Sequence, residues 1–122
     1  MKVLIRKELL DYLIELAWEF YPNEFAGFLR EVDGVFEEVL IAPEGKFGSG
    51  SVYFNPWSLP LDTSIKGTVH SHPSNVPWPS EADRFFFSKF GGVHFILAYP
   101  YSPENVYAYS SDGSPVEFEV VQ

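Results

Sequence analysis

The chain has 122 residues, 46% hydrophobic and 18% aromatic, which suits one compact domain spanning 1–122 and leaves little room for two cores. A formal charge of −9 with no Lys/Arg cluster argues against nucleic acid as a partner, and the absence of cysteine excludes disulfides, thiolate zinc sites and cysteine nucleophiles. No stretch approaches the ~20 consecutive apolar residues of a membrane span, and the opening MKVLIRKELL lacks the layout of a signal peptide, so a cytoplasmic location without membrane contact is expected.

Leu9, Leu10, Leu13, Ile14, Ala17 and Trp18 recur at helical spacing and predict an amphipathic helix over about 6–20, stopped by Pro22. The apolar runs Phe25 to Leu29 and Val35 to Ile41 flank Asp33-Gly34 and predict a hairpin. The stretch from Ala42 to Gly50, with one Pro and three Gly, reads as a loop leading to a short strand around Val52 to Phe54, and the segment holding Trp57, Leu59 and Leu61 has no assignable period. Gly67 to His72 is a predicted strand. Ala82, Phe85, Phe86 and Phe90 predict a second helix with an aromatic face, ended by Gly91-Gly92 as a left-handed cap would end it. Val93 to Tyr99 is a predicted buried strand, so that strand, helix and strand form a crossover onto a shared sheet. Alternation over Val106 to Ser110 and Val116 to Val120, with Asp112-Gly113 between, predicts a closing hairpin.

The chemistry is concentrated in His70-Ser71-His72-Pro73, followed by Ser80 and Asp83. Histidines two apart on a strand share a face, so their imidazoles start ~6.6 Å apart and can converge on one cation, with Ser71 facing the other way. Pro73 ends the strand, Pro77 and Pro79 stiffen the return, and Asp83 falls in the first turn of the helix, where an anion is favoured. Three protein ligands with one open position is the pattern of catalytic zinc, which lowers the pKa of a bound water to about 7 and leaves a carboxylate to move the proton. Each part has a plainer reading as well. An H-x-H pair need not bind metal, Ser80 to Asp83 also spells a capping box, and Glu24 at a helix–strand junction can be a solvated charge, with Glu31 and Asp62 as rival bases. His94, within GVHFIL, reads as a core histidine or one that supports a ligand rather than as a fourth ligand, and Tyr53, Trp57 and Trp78 either line a groove or pack.

Taken together, a Glu ahead of an apolar strand, then HSHP, six residues, Ser, two residues and Asp resembles the JAMM or MPN+ zinc metalloprotease family, most of all its short archaeal members. The resemblance covers the first helix, Pro22-Asn23-Glu24-Phe25-Ala26-Gly27, the HSHP motif and the closing strands. It implies an α/β fold, a single-domain mixed β-sheet flanked by helices in the JAMM/MPN, cytidine-deaminase-like, architecture. It implies one Zn2+ held by His70, His72 and Asp83 with water as fourth ligand, Glu24 as general base and then acid, and Ser80 as an oxyanion stabiliser. It implies as partner a ubiquitin-like or sulfur-carrier protein, cleaved after its C-terminal Gly-Gly. The long inserts of the ubiquitin-specific eukaryotic members have no room here, so linkage selectivity does not carry over. Two rival functions are a metallohydrolase of small peptides or amino-acid conjugates, and a non-catalytic module that binds a ubiquitin-like protein and keeps a structural metal.

Overall fold

A computed structural model describes residues 2–42 and 63–122. Most of the expected loop at 42–50, the strand at 52–54, the segment with Trp57, Leu59 and Leu61, and Asp62 lie outside the described residues. The elements are β1 (Val3–Arg6), α1 (Lys7–Phe20), β2 (Ala26–Val32), β3 (Val35–Ile41), β4 (Ile65–His72), α2 (Glu81–Phe90), β5 (Val93–Ala98), a 3-10 turn at Pro103–Asn105, β6 (Val106–Ser110), β7 (Pro115–Val116) and β8 (Phe118–Val121). The described strands form one mixed sheet of order β7-β6-β5-β4-β2-β3-β1-β8. Among the described residues no helix is long and apolar enough to cross a membrane.

The helix face and the strand alternation together decide what lies where. On α1, Leu9, Leu10, Leu13, Leu16 and Ala17 are buried, one stripe at helical period, and pack with Ile5, Phe25, Leu29, Phe36, Val69, Phe95 and Leu97. Ile96 lies between two residues of that core and belongs instead to a smaller cluster with Phe87 of α2 and Tyr109. Because neighbours on a strand point to opposite faces, α1 and α2 cover opposite faces of the sheet. Val69 and Ser71 of β4 therefore face α1, and Thr68, His70 and His72 face α2. The β2–β3 hairpin turns on Asp33 (φ 50) and Gly34 (φ 82), both at positive φ as a two-residue hairpin turn requires.

One strand is added and two expectations, for the closing hairpin and for the buried face of α2, are corrected. β1 precedes the helix and pairs parallel with both β3 and β8, a four-residue strand too short to show a period of two. The closing hairpin is reduced to Ala108↔Val116 and Tyr109↔Pro115, after which the chain joins the opposite end of the sheet as β8. Pro115 has no N–H to extend the ladder, and Phe118 gains burial against Phe95, rings 5.3 Å apart at 73°. Only Glu117 separates β7 from β8, so the two ends of the sheet approach within roughly two Cα steps, about 7 Å, and the sheet curls back on itself. On α2, Phe85 is 66% exposed and Ala82 is exposed, whereas Phe87 is fully buried. The inward stripe is set by Asp83, which brings residues four and seven further on, Phe87 and Phe90, to the same side.

The return from α2 to β5 runs through Gly91 and Gly92. Gly91, at φ 78 and ψ −163, is outside the left-handed helical region, so the expected cap is replaced by a conformation essentially confined to glycine. Gly92 has φ 70, and a Cβ there would stand 2.4 Å from the Lys66 carbonyl oxygen. Gly92→Ala is therefore expected to destabilise the fold by roughly 2 kcal/mol or more, read as a fall in the denaturant midpoint.

Candidate metal centre

β4 delivers His70 and His72 to one face, and α2 delivers Asp83. The His70 and His72 Nε2 atoms are 3.0 Å apart, and Asp83 Oδ2 lies 3.2 Å from the first and 3.1 Å from the second. Three near-equal separations cannot all be hydrogen bonds, since each proton serves one pair. They do match a cation. Donors placed tetrahedrally at the usual zinc distance of roughly 2.0–2.1 Å stand about 3.3 Å from one another. These three residues form the cluster able to hold a metal among the described residues, and their side chains are 6%, 13% and 22% exposed, so access is from the Asp83 side.

The tautomers point the same way. His72 Nδ1 donates to the Val76 carbonyl at 2.9 Å, which leaves the lone pair of a neutral ring on Nε2, facing the triad. The loop carrying Val76 is pinned elsewhere too: Tyr99 N–H bonds to the His72 and Ser74 carbonyls, both at 3.1 Å, and the Tyr109 hydroxyl donates to the Pro77 carbonyl. Burial disfavours the His72 cation, but Asp83, the Val76 carbonyl and the more distant Glu24 carboxylate outweigh it and hold the pKa above its ordinary value. A metal therefore competes with a proton for His72. Burial pushes Asp83 up, yet His70, His72 and the Ser80 amide together hold its carboxyl well below the usual carboxylate range.

Ser80 and Asp83 form the expected capping box. Ser80 N–H donates to Asp83 Oδ2 at 2.9 Å and Asp83 N–H to Ser80 Oγ at 3.0 Å. The cap fixes the carboxylate that also faces the two imidazoles, and it leaves the Ser80 hydroxyl proton free of this exchange. Glu24 lies one residue before Phe25, whose N–H donates to Ser71 Oγ at 2.9 Å and whose carbonyl accepts from Ser71 N–H at 3.0 Å. With Ala26 opposite His70, that antiparallel register runs on to set the exposed Glu24 across from His72. Glu31 is five residues further along β2, roughly 16 Å from Ala26, which removes it as a rival base.

His94 is fully buried and stacks on Phe87 at 4.1 Å and 8°. Its Nε2 donates to the Gly91 carbonyl and its Nδ1 accepts from the Thr68 hydroxyl, both at 2.6 Å, so neither nitrogen is available to a metal. Burial lowers its pKa to about 4. As pH falls, the unfolded chain takes up this proton first. The His94 contribution to stability is thus complete above about pH 6.5 and is lost on the way down to about pH 4, roughly 3 kcal/mol in all. His94→Gln is expected to flatten the fall of melting temperature across that window relative to wild type.

Two features were missed in the sequence. The Val76 carbonyl that sets the His72 tautomer has no signature, because any residue supplies a carbonyl. Phe87, under both His94 and His70, could have been found from its place four residues after Asp83. Trp78, 63% exposed, stands in the loop between the histidines and Ser80.

Residues 6–111 match the family model for prokaryotic homologs of the JAB domain. A protein of Haloferax volcanii named "Probable metalloprotease" is 33% identical, over 96% of this chain and 78% of its own length. The crystal structure of AF2198, a JAB1/MPN domain protein from Archaeoglobus fulgidus, superposes with a TM-score of 0.80 at 36% identity over the whole of both chains. A structure of JAMM, described as a metalloprotease-like zinc site in the proteasome and signalosome, gives 0.80 at 32% identity, again over both whole chains. The solution structure of DSY2949 from Desulfitobacterium hafniense shares the fold at a TM-score of 0.60 and 16% identity, over 98% of this chain and 93% of its own. With its mixed sheet, two helices and His70–His72–Asp83 cluster, the chain belongs to the prokaryotic JAB domain family of JAMM metalloprotease-like proteins.

Proposed function

We propose that the protein is a zinc-dependent isopeptidase or peptidase that cleaves after the C-terminal Gly-Gly of a ubiquitin-like or sulfur-carrier protein. The observation that carries the chemistry is the convergence of two imidazole nitrogens and one carboxylate oxygen, 3.0–3.2 Å apart, on a point left open on one side. A zinc ion there supplies a Lewis acid for the scissile carbonyl and lowers the pKa of water to about 7. Glu24, across from His72, takes the proton of the attacking water and returns it to the leaving amine. The Ser80 hydroxyl, at the N-terminus of α2 and free to donate, stabilises the developing oxyanion. The names of the similar Haloferax and JAMM proteins support a metalloprotease with zinc. The Gly-Gly tail is the finer step, and it rests on the resemblance to the JAMM family, whose members the motif implies act after C-terminal glycines.

The test is release of lysine from a folded ubiquitin-like protein joined through its Gly-Gly tail, with an Ala-Ala tail in parallel. Release by zinc-loaded protein, abolished by chelation and by Glu24→Ala, is the expected result. Equal cleavage of both tails removes the glycine preference. Cleavage of short peptides alone moves the function to small conjugates, and binding without turnover in wild type makes the protein a binding module.

A further inference from the structure

The two helices present opposite charge to solvent. The outer side of α1 carries Glu8, Asp11, Glu15 and Glu19, all exposed. The cations divide the other way. Lys2, Arg6, Lys7 and Arg30 each pair with a carboxylate, whereas Lys66, Arg84 and Lys89 have no such partner among the described residues. Arg84 and Lys89 lie on α2, and the Lys66 carbonyl abuts Gly92 just beyond its end. A helix C-terminus favours cations, which accounts for Lys66 and Lys89 but not for Arg84, next to Asp83 near the positive end.

With Asp83, Phe87 and Phe90 turned to the sheet, the 100° step per residue centres the outward face of α2 on Phe85, flanked by Arg84 on one side and Lys89 on the other. Phe85 is 66% exposed, and Lys89 Nζ lies 5.3 Å from the centre of its ring. Trp78, two residues ahead of the Ser80 cap, adds a second exposed apolar side chain at the end nearest the metal. Glu81 is the carboxylate of this face.

We propose that this face docks the folded body of an acidic partner, the carrier whose tail enters the metal site, with Phe85 as apolar anchor between Arg84 and Lys89. In a chain of net charge −9 an acidic protein is repelled elsewhere, so three unpaired cations around one exposed ring fix where it lands. The site is continuous with the metal centre, because α2 also carries Asp83, on whose side the triad is open. From Phe85 the tail rounds the first turn of the helix. Half the girth of a helix about 10–12 Å across is roughly 16–19 Å, or about five extended residues. This docking face rests on the carrier reading of the substrate given above.

The test uses an acidic ubiquitin-like protein trimmed of its last two glycines, titrated into zinc-loaded protein and followed by its amide NMR shifts. Wild type is expected to bind, more weakly as salt rises. Arg84→Glu with Lys89→Glu, and separately Phe85→Ser, are each expected to weaken binding roughly 10-fold or more. Lys2→Glu with Lys7→Glu changes the net charge equally and is expected to leave binding within two-fold, about the effect of a remote charge. Unchanged binding in the α2 variants, an equal loss in the Lys2 and Lys7 pair, or tighter binding of a basic ubiquitin-like protein overturns the docking face. So does self-association of the wild type through α2. The trimmed probe cannot be cleaved, which separates the two readings. Binding through α2 by a protein that releases no lysine from the intact conjugate ends the isopeptidase reading and keeps the docking face. Lysine release that is indifferent to the α2 charge reversal does the opposite.

Discussion

Glu24→Gln is expected to lower kcat by roughly 10²–10⁴-fold while the protein keeps its zinc. Gln has nearly the shape of Glu but cannot take a proton from water at neutral pH. Glu24 is also exposed and outside the ligand cluster, and its charge is the smallest of the contributions that raise the His72 pKa, so the variant keeps the fold and the ligand set. The strand register that sets it across from His72 runs through the backbone of Phe25 and the side chain of Ser71, both untouched. Metal content by mass spectrometry and turnover on one sample decide the matter. A kcat within a few-fold of wild type assigns the proton transfer to another group. Glu31→Gln, far along β2, is expected to change neither quantity.

The second large effect is loss of the metal. His72→Ala and Asp83→Ala are each expected to leave the protein without stoichiometric zinc, and with it without turnover. At free zinc 1,000-fold above its dissociation constant, binding adds about 4 kcal/mol to the wild-type stability, which both variants forgo. They differ once a chelator is present. Asp83→Ala also breaks the reciprocal cap with Ser80, about 1 kcal/mol, so it is expected to melt below chelated wild type. Full zinc retention in either variant rules out the ligand set.

Much of this site was legible because its parts are local. His70, His72, Ser80 and Asp83 lie within one strand, loop and helix, where a period of two and a capping box have sequence signatures. The helix of residues 7–20 and the hairpin on Asp33-Gly34 were legible for the same reason. What was not legible is what distant segments decide. The parallel pairing of β1 between β3 and β8 leaves no local mark, and it turned an expected hairpin partner into a strand at the far end of the sheet. The choice of Phe87 over Phe85 as the buried residue of α2 follows from where Asp83 must point, not from hydrophobicity.

The pairing of Val3 with Phe118 has a consequence for the order of synthesis. At roughly 5–20 residues per second, β1 leaves the ribosome about 6–23 s before the strand that covers its edge. Glu24 and all three ligands emerge in that interval, together with the β4–α2–β5 unit whose contacts are short in sequence. Completion of the sheet waits for the contact of longest range, which carries the largest loop-closure cost of the described strand pairings. Until then β1 offers an open apolar edge to other nascent chains.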